Sequence, residues 1–283
     1  MTHILESLDA LSARYDAVFC DVWGVIHNGR RIFPDAAAAL KRWREAGRHV
    51  VLLTNVPKPR GPIPGQLDRI GFPRGAWDVI VTSGDAIRAE LAARAPGPMY
   101  KIGPDDDAPL WEGLGLEFAP LEKARFIGIS GLNDWDETPA DYAGVIAAAK
   151  ARDLEMLSAN PDIVVRVGED IVWCAGAVAR DYEALGGRVI MAGKPHPPIY
   201  ALAHKELDAL AGRHIDPARI LCIGDGVTTD VKGANAHGLD VLFIASGLHG
   251  EALTTDGALD PAKVDAALAE EGARANYVMR DLA

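Results

Sequence analysis

The chain has 283 residues, 49% of them hydrophobic and 24% charged, a composition that buries a full core and excludes a disordered polymer. Its formal net charge of -11 argues against nucleic acid and anionic membrane surfaces as partners, but not against a phosphate held through a cation. No apolar run approaches the ~20 residues that cross a bilayer.

The first 14 residues carry Glu6 and Asp9 and no long apolar stretch, so neither a signal nor a transit peptide is expected. Three cysteines, Cys20, Cys174 and Cys222, are sparse, odd in number and without metal-type spacing, which fits a reducing cytoplasm. Residues 17–20 predict a buried strand that ends at Asp21. Pro34 and Asp35 open a helix with Leu40 and Trp43 on its apolar face, and Gly47 ends it. Residues 49–53 predict a strand running into Thr54-Asn55, and 78–81 another running into Thr82-Ser83-Gly84-Asp85.

The middle, 87–187, has elements of its own: strand-like 99–102, 125–129 and 156–157, and an Ala-rich helix over 139–152. Its Asp105-Asp106-Asp107 trio reads as a solvated turn or helix cap. Strand-like 188–190 leads into Gly193-Lys194-Pro195-His196-Pro197. Residues 219–223 predict a strand followed by Gly224-Asp225-Gly226, a helix over 229–237 and a strand over 240–244. Beyond Ser246-Gly247-Leu248-His249, a loop whose His249 could touch a ligand or simply be a loop residue, come a helix from Asp260 to about 271 and a last strand at 277–279. This rhythm predicts an α/β fold with a parallel sheet covered by helices. Residues 1–86 and 188–283 form one core domain, and 87–187 are a smaller α/β domain inserted into it.

The polar motifs all fall at the carboxyl ends of strands, where open α/β sheets keep their ligand crevice. A carboxylate just past a buried strand, such as Asp21, can attack phosphorus, although alone it reads equally as a strand-end cap. Thr54-Asn55 offers a hydroxyl and backbone N–H groups for phosphate oxygens, or ordinary turn chemistry. Lys194, held between Gly193 and Pro195, can neutralise a phosphoryl group, or be a surface lysine. Asp225 and Asp230 straddle a turn and a helix start, where Asp225 suits a direct Mg²⁺ bond and Asp230 one through water, or both are caps.

In this order, the four motifs resemble those of the haloacid dehalogenase-like superfamily, and more closely its class IIA branch of NagD-like and p-nitrophenyl-phosphatase-like proteins. Leu53-Thr54-Asn55, Thr82-Ser83-Gly84-Asp85, Ala159-Asn160-Pro161-Asp162, Gly193-Lys194-Pro195 and Gly224-Asp225-Gly226-Val227-Thr228-Thr229-Asp230 carry the likeness. The resemblance implies a Rossmann-like core with the inserted domain as a cap. It implies Asp21 as nucleophile and metal ligand, joined on Mg²⁺ by the backbone carbonyl of Trp23 and the Asp225 carboxylate, with Asp230 orienting a metal-bound water. Thr54 and Lys194 would bind the phosphoryl group, with Gly24, Asn55, Asn160 and Asp162 lining the substrate site. Asn160 and Asp162 also fit a plain Asx turn. A small phosphorylated metabolite is the implied substrate, and cap faces in relatives often form dimers, which leaves a homodimer open.

One position departs from the pattern. Phosphatases of the family carry a second Asp two residues after the nucleophile, and here that residue is Trp23. Indole transfers no proton at neutral pH, and general acid–base help is worth roughly 10²–10⁴-fold. A slowed or specialised phosphatase is expected, with good leaving groups or His27 as ways around the loss. The alternatives are a non-catalytic metabolite-binding or interaction protein and, ranked lower, a haloacid dehalogenase.

Overall fold

The computed structural model describes residues 2–168, 170–246 and 250–283, so His249 lies outside the described residues. The chain divides into two compact units, 1–54 with 63–81 and 200–283, and 55–62 with 82–199.

The first unit is built on a seven-stranded sheet in the order His3–Ile4, Tyr277–Met279, Asp240–Ile244, Ile220–Gly224, Ala17–Cys20, His49–Thr54, Val79–Thr82. Pairing is parallel from His3–Ile4 through His49–Thr54. Ala17–Cys20 and Ile220–Gly224 are buried along their whole length, so their sequences run apolar without alternation. Helix Pro34–Glu45 starts on its proline and turns Ala36, Leu40 and Trp43 inward. Helix Pro261–Glu270 is capped by Asp260, whose carboxylate accepts from the Ala262 and Lys263 N–H groups.

The helix expected over 229–237 opens differently. A π-helical turn, Val227–Val231, precedes the α-helix Lys232–Ala236. The wider turn sends the Val231 N–H back to the Gly226 carbonyl at 3.1 Å, an arrangement often found beside functional groups.

Asp16, just ahead of strand Ala17–Cys20, collects Arg219, Arg213 and Arg48 at 2.6, 3.2 and 3.3 Å. The hydrogen bond from Arg219, helped by Arg213, holds its carboxyl below the usual range despite partial burial. Asp16→Asn leaves three guanidiniums crowded together and is expected to cost about 2 kcal/mol at pH 7. A depressed carboxyl stabilises above its unfolded value and loses that contribution as pH falls through the folded one. Thermal melts of parent and variant should therefore differ at pH 7 and converge in strong acid.

The second unit holds a four-stranded parallel sheet in the order Arg188–Met191, Glu155–Ser158, Phe126–Ile129, Met99–Ile102. One apolar cluster gathers Ile127, Met156, Val178 and Tyr182, and another Ile87, Met99, Trp111 and Phe126. The helix expected over 139–152 is a 3-10 turn, Pro139–Tyr142, with Thr138 and Asp141 forming a capping box, followed by α-helix Ala143–Ala151. An antiparallel hairpin, Val164–Val167 with Asp170–Trp173, is an additional element.

The acidic trio is not uniformly solvated. Asp107 is only 5% exposed and lies 3.6 Å from the Lys58 ammonium, while burial pushes its carboxyl up. All three cysteines are buried and none is in a disulfide. Among the described residues no helix is long and apolar enough to cross a membrane.

Candidate active and metal site

Strand register assembles the acidic site. Cys20 pairs with Ile223 across two parallel strands, and the Asp21 N–H donates to the Ile223 carbonyl at 2.8 Å. The chain leaves both strands side by side, as Asp21 on one and Gly224-Asp225 on the other. Asp230 returns from the π-helical turn. Donor oxygens of Asp21, Asp225 and Asp230 all lie within 4.8 Å of one another. Asp21 and Asp230 are buried, Asp225 partly so.

Two carboxylates at that spacing repel by roughly 3–4 kcal/mol at an effective dielectric near 20. Three converging oxygens with no soft ligand among them suit a hard divalent cation. Thr54 ends the neighbouring strand, where Cys20 pairs with Leu52, and is buried at 6% exposure.

Two glycines make room for these acids. Gly24 has φ +87°, and a Cβ there would stand 2.3 Å from Asp225 Oδ2. A Cβ on Gly224 would lie 2.2 Å from Asp230 Cγ. Gly24, expected to line substrate, thus has a steric duty of its own. Gly24→Ala should cost about 1–2 kcal/mol through its left-handed backbone. It should also rotate Asp225 out of the cluster. Melts with and without a divalent cation will show a lower midpoint and a smaller cation-induced rise than in the parent.

The turn after Asp21 is closed by Gly24 N–H to the His27 carbonyl and Ile26 N–H to the Val22 carbonyl, at 2.8 and 3.0 Å. Trp23 packs edge-on against His27, with ring centroids 5.0 Å apart. Burial pushes His27 down to about 4, and its Nδ1 accepts from the Gly29 N–H at 2.9 Å. The imidazole is therefore neutral at pH 7, with its proton on Nε2. A neutral imidazole is too weak an acid to replace the missing carboxylic acid.

The remaining expected residues belong to the second unit. Lys194 is 3% exposed. The Asn55 amide donates to Asp162 Oδ1 at 2.8 Å and to the Lys194 carbonyl at 3.1 Å, and accepts from the Lys194 N–H at 2.7 Å. Asn160 Oδ1 accepts from the Asp162 N–H at 2.9 Å, which is the Asx turn that its spacing allowed. Sequence spacing could not reveal the Asn55 contacts, which join residues 107 and 139 positions apart.

Residues 18–117 match the family described as haloacid dehalogenase-like hydrolase, and residues 191–282 a second family described as HAD-hydrolase-like. A crystal structure from Brucella suis 1330, a hydrolase of the haloacid dehalogenase-like family, is 42% identical to the chain. It aligns over 99% of this chain and 100% of that one, with a TM-score of 0.89. The glycerol-3-phosphate phosphatase of Gallus gallus is 28% identical over 278 residues, covering 86% of this chain and 83% of that protein. The D-glycerol 3-phosphate phosphatase of Mycobacterium tuberculosis is 25% identical over 281 residues, covering 97% and 72%.

Proposed function

The chain belongs to the haloacid dehalogenase-like family, as a hydrolase of its class IIA branch, and on that premise we propose that it is a Mg²⁺-dependent phosphatase of a small phosphorylated metabolite. The observation that carries this reading is the convergence of the Asp21, Asp225 and Asp230 carboxylates, which calls for a cation. Phosphatases of glycerol phosphates among the relatives support a small phosphate ester as substrate.

Asp21 attacks phosphorus, and the bond from phosphorus to the leaving oxygen breaks as the aspartyl-phosphate forms. Water then attacks that phosphorus, the bond to Asp21 Oδ breaks, and inorganic phosphate leaves. Asp21, Asp225 and the Trp23 carbonyl would hold Mg²⁺, with Asp230 reaching it through water. The ion would offset the repulsion between Asp21 and the phosphate. Thr54 and Lys194 hold the phosphoryl oxygens. Gly24, Asn55, Asn160 and Asp162 would contact the substrate, and residues 87–187 would act as the cap that selects it and excludes water.

No side chain at position 23 supplies a proton to the departing oxygen. Acyl phosphates and phenyl phosphates, whose carboxylate and phenolate groups leave readily as anions, are accordingly the favoured substrates. The sparse cysteines, none in a disulfide, support a cytoplasmic setting. Trp23, packed on a neutral His27, also supports a second reading: a phosphometabolite-binding protein without turnover.

A Mg²⁺-dependent screen of phosphorylated metabolites, including activated ones, separates the two. Phosphate release that disappears with EDTA supports the first. Thermal stabilisation by a phosphorylated ligand with no release across the panel selects the second. Halide release without Mg²⁺ would instead select dehalogenation.

A further inference from the structure

Lys194 carries the positive charge on which the proposed phosphoryl site depends. Its own main chain forms no strand or helix, since the strand Arg188–Met191 has ended and helix Pro197–Ala211 has not begun. A buried loop peptide in that position needs partners for both its N–H and its C=O. One side chain provides both. Asn55 accepts from the Lys194 N–H at 2.7 Å and donates to the Lys194 carbonyl at 3.1 Å, as a neighbouring strand would. The orientation of the amide is fixed by chemistry, because an N–H needs an acceptor and a carbonyl needs a donor. The second amide proton goes to Asp162 Oδ1 at 2.8 Å.

The slot is narrow. A Cβ on Gly193 would meet Ser83 Oγ at 2.5 Å, Asn55 Oδ1 at 2.6 Å and Pro161 Cδ at 2.7 Å. Three separate segments thus press on the residue ahead of Lys194. Asn55 is 4% exposed.

We propose that Asn55 is a positioning residue that fixes the Lys194 ammonium and locks it to the Asn160-Asp162 turn, so that the charge for phosphate and the substrate-side turn move as one piece. This rests on the phosphatase reading only for its effect on rate; the placement of Lys194 is independent of it. Asn55→Asp is nearly isosteric. It keeps the acceptor for the Lys194 N–H, loses the donor to the Lys194 carbonyl, and sets two carboxylates face to face at position 162. Asn55→Asp with Asp162→Asn removes that repulsion and restores one tie with donor and acceptor exchanged.

The decisive measurement is the rate at which acetic anhydride acetylates Lys194, read by peptide mass spectrometry against Lys101 and Lys150 as internal standards. Asn55→Asp should raise the relative rate at Lys194 about tenfold, and the double variant, which restores the tie to position 162 but not the donor to the Lys194 carbonyl, should bring it part of the way back. In turnover of p-nitrophenyl phosphate with Mg²⁺, Asn55→Asp should lower kcat by roughly 10- to 100-fold. Unchanged acetylation of Lys194 in Asn55→Asp, or acetylation left unrepaired in the double variant, overturns the inference. If the parent releases no phosphate, the phosphatase reading fails while the acetylation comparison still decides this one. Should Asn55→Asp fail to fold, Asn55→Ser, which keeps a small buried acceptor, is read in the same assay with the same expectation.

Discussion

Asp21→Asn should lower Mg²⁺-dependent phosphate release by at least about 10³-fold, because an amide oxygen forms no stable ester with phosphorus and no other side chain takes over. The same change removes one of three charges gathered within 4.8 Å. Bare Coulomb repulsion within each pair is roughly 3–4 kcal/mol at an effective dielectric near 20. The metal-free variant should therefore melt a few degrees above the metal-free parent, at about 2–4 °C per kcal/mol for a chain of this size. Added Mg²⁺ should stabilise it less. These opposite signs separate a lost nucleophile from general damage, which lowers both midpoints. A metal-free variant that melts below its parent would show that the three carboxylates do not share one cation site.

Trp23→Asp should raise turnover of an alkyl phosphate by about 10²–10⁴-fold and change p-nitrophenyl phosphate little. The nitrophenolate leaves without a proton, whereas an alkoxide does not. The indole gives up its packing against His27, so a loss of about 1 kcal/mol in stability is expected alongside. The measurement is the ratio of kcat/KM for the two substrates before and after the change. An unchanged ratio would mean that protonation of the leaving oxygen does not limit the parent. His27 does not confuse the result, since burial keeps it neutral from about pH 5 upward.

Much of the acidic site was legible because it depends on strand ends. Ala17–Cys20 and Ile220–Gly224 are apolar throughout, and each stops at a polar residue that the parallel register sets beside the other. Where side chains reach across long stretches of sequence, pattern fails. Asp107 reads as solvated because its neighbours are acidic, and only the fold brings up Lys58 and the walls that bury it. Asn55 reads as turn chemistry or a phosphate contact, while its amide is engaged by Lys194 and Asp162. The π-helical turn at Val227–Val231 gives no periodic signal, since one wide turn is too short to shift an apolar repeat. The hairpin strands Val164–Val167 and Asp170–Trp173 carry four residues each, with Val165 and Val172 paired, too few to stand out from a loop.

The second unit is made of two stretches of chain, 55–62 and 82–199. A chimaera that transplants only 82–199 into a relative would inherit foreign residues in place of Asn55, Lys58 and Arg60. Those three reach Lys194, Asp107 and Asp85 respectively, all within the transplanted part. Asp107 would arrive buried and without the Lys58 ammonium, and the peptide of Lys194 without its companion amide. Exchange of substrate preference between homologues by grafting therefore calls for both stretches to travel together, with four junctions instead of two.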